Sequence, residues 1–217
     1  DKTVILYNLT TCPPTVLYKL HDYTSPVYSV TFHSNQPLLA ASSSDETVII
    51  YDLSTSPPTK QYHLKHHINC VNSVAFHPRF SLFVTGSDDQ TAILYNISTV
   101  PATIQYHFKN HRGWVVTVSF HPWLLFVATG SWDHSVILYD ISISPPTIRH
   151  HLKYHTDLVC CVIFHPSLPL LATGSRDYST LLYDISALSF TPATSTTCTA
   201  PSLITFKYQL QHHQRCV

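Results

Sequence analysis

The sequence repeats one phrase five times. Copies begin at Asp1, Asp45, Asp89, Asp133 and Asp177, at an unvarying spacing of 44 residues, and read DKTVILYN, DETVIIYD, DQTAILYN, DHSVILYD and DYSTLLYD. Each is an acidic turn residue followed by a short apolar run that closes on Tyr and then on Asp or Asn. A period in the 40s assembled from strand-length pieces predicts a propeller rather than a helical solenoid.

Alternation and breakers lay out four strands within the period from 67 to 110. Val71 to Phe76 alternates in facing, Pro78 ends it, and Leu82 to Ser87 carries β-branched and aromatic residues. Asp88-Asp89-Gln90 makes a turn, Thr91 to Tyr95 is a third strand, Pro101 interrupts, and Thr103 to Phe108 is a fourth. Four short antiparallel strands per repeat make one propeller blade. The interruption recurs around Pro13, Pro57, Pro101 and Pro145. Proline cannot donate to a ladder, so it belongs in the loop before an outer strand. The expected fold is all-β: a half-blade at 1–22, blades at about 23–66, 67–110, 111–154 and 155–212, and an insertion loop at about 187–204.

Composition narrows the partners. Lys plus Arg and Asp plus Glu are 12 each, so no net field steers nucleic acid or an anionic membrane, and neither is expected as a partner. Only 11% of residues are charged, against about 25% in ordinary domains. Sixteen His hold that neutral balance only near pH 7. The six Cys, at 12, 70, 160, 161, 198 and 216, show no paired metal spacing and read as reduced thiols, with Cys160 and Cys161 on opposite faces of one strand. No apolar run approaches the roughly 18 residues of a membrane span. A cytoplasmic location is expected; secretion is the alternative if the sequons at Asn8 and Asn96 are used.

These residues resemble the WD-repeat β-propeller family across essentially the whole chain. A family repeat carries a His in the loop leading into the innermost strand, a Ser or Thr on the second strand, an Asp in the following turn and a Trp on the third strand, joined as a hydrogen-bonded tetrad. His67, Thr85, Asp89 and Tyr95 fit that pattern, as do His111, Thr129, Asp133 and Tyr139, and His155, Thr173, Asp177 and Tyr183. The usual Trp is Tyr in every copy, and a phenol offers its O–H with a different reach from an indole N–H. In the repeat around Asp45, Tyr23 stands in the His place and Ala41 in the Ser/Thr place. Losing both partners together costs less than leaving one buried and unpaired. The resemblance further implies about 4.5 blades of a seven-bladed ring, with residues beyond these 217 completing it.

Other features have plain readings. His33, His77, His121 and His165 recur at the end of the innermost strand and are expected as a ring on the face opposite the tetrads, in turns rather than on a metal. The two sequons stand where other copies have Asp52, Asp140 or Asp184, which is a turn position. After Ile185 a Thr-, Pro- and Ala-rich insertion of about 14 residues delays the pattern until Thr205, and Tyr208, His213, Cys216 and Val217 then match Tyr62, His67, Cys70 and Val71.

For function the resemblance implies a non-catalytic scaffold with no cofactor and no metal, binding a protein partner on the tetrad face and open to membership of a larger assembly. The residue before each turn Asp points to that face in the family; here these are Ser44, Asp88, Trp132 and Arg176. With Arg112 and Trp114 on a neighbouring loop they form a candidate aromatic and charged contact surface. The alternative is an extracellular or particle-forming structural protein built from the same repeats. No catalytic residues are expected, because a Thr/His/Asp constellation repeated in each blade serves the blade.

Overall fold

The structure, a computed structural model, describes residues 1–188 and 205–211. Most of the insertion, and His213, Cys198, Cys216 and Val217, lie outside the described residues. Among the described residues there are 18 strands and no helix. β1 (Val4–Asn8) and β2 (Thr15–Leu20) form a two-stranded half-blade. The first full blade comprises β3 (Val27–Phe32), β4 (Leu38–Ser43), β5 (Val48–Asp52) and β6 (Thr59–Leu64). The second comprises β7 (Val71–Phe76), β8 (Leu82–Ser87), β9 (Ala92–Asn96) and β10 (Thr103–Phe108). The third comprises β11 (Val115–Phe120), β12 (Phe126–Ser131), β13 (Val136–Asp140) and β14 (Thr147–Leu152). The fourth comprises β15 (Val159–Phe164), β16 (Leu170–Ser175), β17 (Ser179–Asp184) and β18 (Thr205–Gln211). Every blade is an antiparallel meander in chain order, as the alternation and the turns predict, giving a propeller of about 4.5 blades.

No blade holds a core of its own. Strand residues alternate in facing, so Leu38 and Ala40 pack with Phe83 and Tyr95 of the second blade, whereas Leu39 and Ala41 pack with Val4 and Leu20 on the half-blade side. Val84 and Leu94 of the second blade likewise pack with Val127 and Tyr139 of the third, and Ala128 and Leu138 of the third with Leu171 and Tyr183 of the fourth. Each Val, Leu or Phe side chain among them contributes about 1.5–3 kcal/mol on burial, and these contacts are shared across a blade boundary. The uncovered side of β3 shows the dependence: Val30 and Phe32 are 55% and 64% exposed, while their counterparts Val74 and Phe76 on β7 are 5% and 9%.

The inner strands are also tied by polar contacts. The Ser73 hydroxyl accepts the Val118 N–H at 3.1 Å, and the Thr117 hydroxyl accepts the Val162 N–H at 3.2 Å. A register shift between Val159 and Cys161 breaks strict alternation at the start of β15, where both Cys160 and Cys161 are exposed.

Close approach of blades requires small residues on the second strand. A methyl group on Gly86 would stand 2.8 Å from Val115 Cγ1 and 2.9 Å from Val118 Cγ1; one on Gly130 would stand 2.6 Å from Thr117 Cγ2 and 2.9 Å from Val159 Cγ1. At Gly174 the nearest atom is Cys161 Cβ at 3.8 Å. Gly86→Ala and Gly130→Ala are therefore expected to cost about 1–3 kcal/mol each through overpacking, with Gly174→Ala close to neutral. Urea unfolding of the three variants measures this, and equal losses at all three positions would contradict the shared-core packing.

The tetrad face as candidate functional site

The turn between the second and third strands of each blade is built around one carboxylate. The residue after the Asp takes a left-handed conformation, with φ of 72° at Glu46, 69° at Gln90, 67° at His134 and 64° at Tyr178. This tight path lets the Asp receive several donors at once. In the second blade Asp89 Oδ1 accepts the Thr91 N–H at 2.9 Å and the Thr91 hydroxyl at 2.6 Å. Its Oδ2 accepts His67 Nδ1–H at 2.7 Å and the Ile68 N–H at 3.3 Å. The other ring nitrogen of His67 lies 2.7 Å from the Thr85 hydroxyl. Because Nδ1 donates to the carboxylate, Nε2 of the neutral ring accepts from Thr85. The third blade repeats this with His111, Asp133 and Thr129 at 2.9 and 2.7 Å, and the fourth with His155, Asp177 and Thr173 at 2.8 and 2.7 Å.

Burial pushes these carboxyls upward, but the donors more than offset it. Hydrogen bonds from His67 and Thr91 bring Asp89 down to about 2, and those from Ser179, Thr156 and His155 bring Asp177 to about 2. Asp133 is held well below the usual carboxylate range by His111, Ser135 and the Arg112 N–H.

The fourth tetrad position carries a phenol beside the tetrad Thr: Tyr95 with Thr85, Tyr139 with Thr129 and Tyr183 with Thr173. Tyr95 and Tyr139 are buried, and burial raises both phenols. Their hydroxyls make long contacts to the residue before the tetrad His: Tyr95 to His66 Nδ1 at 3.4 Å and Tyr139 to Asn110 Oδ1 at 3.3 Å. The Tyr51 hydroxyl donates to Asp22 at 2.9 Å. Tyr183 packs its ring on Tyr154, centroids 6.0 Å apart, and burial pushes its phenol up to about 12. The phenol thus extends the network one residue toward the leading loop. The place nearest the carboxylate belongs to Thr91, Ser135 and Ser179, whose hydroxyls bond the turn Asp and lie 3.2–3.4 Å from the tetrad His.

The repeat that lacks two tetrad members compensates locally. The Tyr23 hydroxyl donates to the Ala41 carbonyl at 3.0 Å, and Asp45 receives the Thr24 N–H at 2.8 Å, as in the other blades, together with the Thr24 hydroxyl at 3.2 Å where they supply a His. Neither the carboxylate nor the substituting phenol is left without a partner.

Above these networks lies the candidate contact surface. Trp114 and Trp132 stack with ring centroids 4.0 Å apart, and the Arg176 guanidinium sits 6.0 Å from the Trp132 ring. The loop beneath is fixed: the Arg112 N–H donates to Asp133 at 2.9 Å, the Trp132 N–H donates to the Trp114 carbonyl at 2.9 Å, and an added methyl on Gly113 would meet the Asp133 backbone N at 2.7 Å. Arg112 faces an open pocket of about 380 Å³ instead of the Trp pair. Asp88 stands apart from both, its Oδ1 accepting from the Asn72 amide at 2.6 Å.

With three His–Asp–Thr networks in register, comparison with known families is decisive. The model of the WD domain, G-beta repeat family matches residues 14–52, 58–96, 102–140 and 146–184. The chain belongs to the WD-repeat family. No curated protein matches it. WD repeats indicate a protein-interaction scaffold in general, and WD-repeat proteins are typically non-catalytic.

In this WD-repeat chain the other recurrent His form turns. His33, His77, His121 and His165 each accept at Nδ1 the backbone N–H groups two and three residues ahead, at 2.9–3.3 Å. Three of them pack on the next blade, as His77 does edge-on to Phe120 at 5.1 Å and His121 to Phe164 at 5.1 Å. The sequon residues are also turn-formers: Asn8 accepts the Thr10 N–H and Asn96 the Ser98 N–H, as Asp52 and Asp140 accept from Ser54 and Ser142.

Two measurements check these assignments. Asp89→Ala strands the His67 donor in a buried site and is expected to cost about 1–3 kcal/mol in urea unfolding; a loss below ~0.5 kcal/mol would contradict a structural tetrad. Burial, with the Arg79 charge adding at His77, pushes both His77 and His121 down to about 4 from the usual 6.5. The unfolded chain takes up these protons first as pH falls, so stability declines between pH 6.5 and 4. Asp89 and Asp177, about 2 against the usual 3.8, add a second loss between pH 3.8 and 2. His121→Asn, whose side-chain carbonyl can replace Nδ1 as acceptor, is expected to flatten only the first of these limbs.

Proposed function

We propose that this chain is a non-catalytic scaffold that binds a protein partner through the tetrad face, with Trp114, Trp132 and Arg176 at the centre of the contact and Arg112 and Asp88 at its edge. The observation that carries the reading is a contrast of exposure. The Thr85, Thr129 and Thr173 hydroxyls, which have the donor geometry of a nucleophile beside His and Asp, sit on residues 0–1% exposed, so no substrate reaches them. Directly above, the exposed Trp114, the half-buried Trp132 and the exposed Arg176 come together from a leading loop and two turns held by backbone hydrogen bonds, and such aromatic and Arg anchors carry most of the energy of protein interfaces. A rigid platform loses little entropy on binding. A cytoplasmic setting accompanies this reading, supported by the free cysteines at 12, 70, 160 and 161 among the described residues, and membership of a larger assembly belongs to the same proposal.

The test separates surface from scaffold. Trp132→Ala combined with Arg176→Ala is expected to abolish partner capture, identified by cross-linking mass spectrometry, while the melting temperature stays within about 2 °C. Asp133→Ala should instead lower the melting temperature. Capture unaffected by the surface pair would refute this face as the binding site.

A further inference from the structure

The pocket beside the Trp pair has a composition that the other blades lack. It is lined by Asn110, Arg112, Asp133, Ser135, His151 and Lys153. Neither Arg112 nor Lys153 makes an ion pair among the described residues. The one acid on its wall is already occupied: Asp133 receives His111 Nδ1, the Arg112 N–H, the Ser135 N–H and the Ser135 hydroxyl. Arg112 and Lys153 therefore outnumber the Asp133 carboxylate, whose own partners are neutral donors, and give this space a net positive charge, together with donors from the Asn110 amide and the His151 ring.

The repeats act as internal controls. His151-Leu152-Lys153 has counterparts in His63-Leu64-Lys65 and His107-Phe108-Lys109, so the His and Lys belong to the blade pattern. Arg112 does not: its place is taken by Thr24, Ile68 and Thr156 elsewhere. In the first blade the Lys is neutralised, with Lys65 Nζ 3.9 Å from Glu46, whereas the third blade carries His134 in the place of Glu46. Gly113, packed against the Asp133 turn, is likewise unique, its counterparts being Ser25, Asn69 and Asp157. A guanidinium fork and an ammonium point charge, on a loop already fixed by the turn carboxylate, match a dianion with three terminal oxygens better than a carboxylate.

We propose that this pocket receives the phosphate of a phosphorylated Ser or Thr side chain on the partner protein. The proposal rests on the scaffold reading and specifies the chemistry of its partner. A volume of about 380 Å³ accommodates the side chain as well as the phosphate, and the Trp114–Trp132 stack alongside offers an apolar shelf for the neighbouring residue.

The experiment is an amide chemical-shift titration of the purified protein with N-acetyl-O-phosphoserine amide, run beside N-acetyl-aspartate amide and inorganic phosphate. Saturable shifts are expected at Arg112, Gly113, Ser135 and Lys153, with both control probes at least tenfold weaker. Arg112→Gln and Lys153→Gln should each weaken phosphoserine binding by at least tenfold. Both side chains are exposed, so unchanged melting temperatures will show that the fold is intact. Absence of saturable shifts, or equal binding by Arg112→Gln, would overturn the site. Equally tight aspartate would make it a carboxylate site, and equally tight inorganic phosphate a free-anion site; either result overturns the phosphoprotein assignment. The titration needs no partner, so its failure alongside intact partner capture would remove this proposal and leave the scaffold reading standing.

Discussion

One carboxylate per blade organises this molecule. Asp89, Asp133 and Asp177 each gather a ring N–H from the leading-loop His, a backbone N–H from the residue after it, and the N–H and hydroxyl of the turn's Thr or Ser. The carboxylate thereby ties the loop before the innermost strand to the turn and, through the His, to the second strand, 18 to 22 residues further along the chain. A buried charge with four donors is stable, whereas a missing donor leaves a costly imbalance. The blade around Asp45 shows how closely this is enforced, since loss of the His coincides with a Thr that donates twice to the same oxygen.

This constraint divides each repeat into residues that must stay and residues that can vary. Asp, the Thr or Ser two places later and the buried strand residues recur because they share in the network or in the cores between blades. The positions flanking the Asp do not share in it, and they carry the diversity: Ser44, Asp88, Trp132 and Arg176 before it, and Glu46, Gln90, His134 and Tyr178 after it. Recognition chemistry can therefore be rewritten from blade to blade on an unchanged frame. The third blade, with Arg112, Gly113, Trp114 and Trp132 together, departs furthest from its neighbours.

The fold was legible because its signal is redundant: five copies of the Asp phrase set the turns, and Pro13, Pro57, Pro101 and Pro145 set the breaks before the outer strands. The His–Asp–Thr relation was legible only through resemblance, since residues 18 and 22 apart meet through sheet register that no local pattern encodes. Two features of the site escaped. Thr91, Ser135 and Ser179 take the place nearest the carboxylate, although the phrase shows Thr or Ser third in all five copies. The Tyr hydroxyls also reach Asp22, His66 and Asn110, the residues before Tyr23, His67 and His111, because a phenol places its oxygen elsewhere than an indole places its nitrogen; the polar residue at that place was the available signal. The bulge at the start of β15 also went unforeseen, because a run of Val159, Cys160, Cys161 and Val162 carries no mark of where alternation fails.

The central claim is that the turn carboxylate and its His act as one unit, and a double-mutant cycle between His111 and Asp133 tests it most directly. Urea unfolding of His111→Ala, Asp133→Ala and the double variant gives the coupling energy, free of the effects that each substitution has alone. A coupling of at least ~1 kcal/mol, with the double variant little worse than Asp133→Ala, is the predicted result. Losses that add to within ~0.5 kcal/mol would show two independent residues and contradict the account.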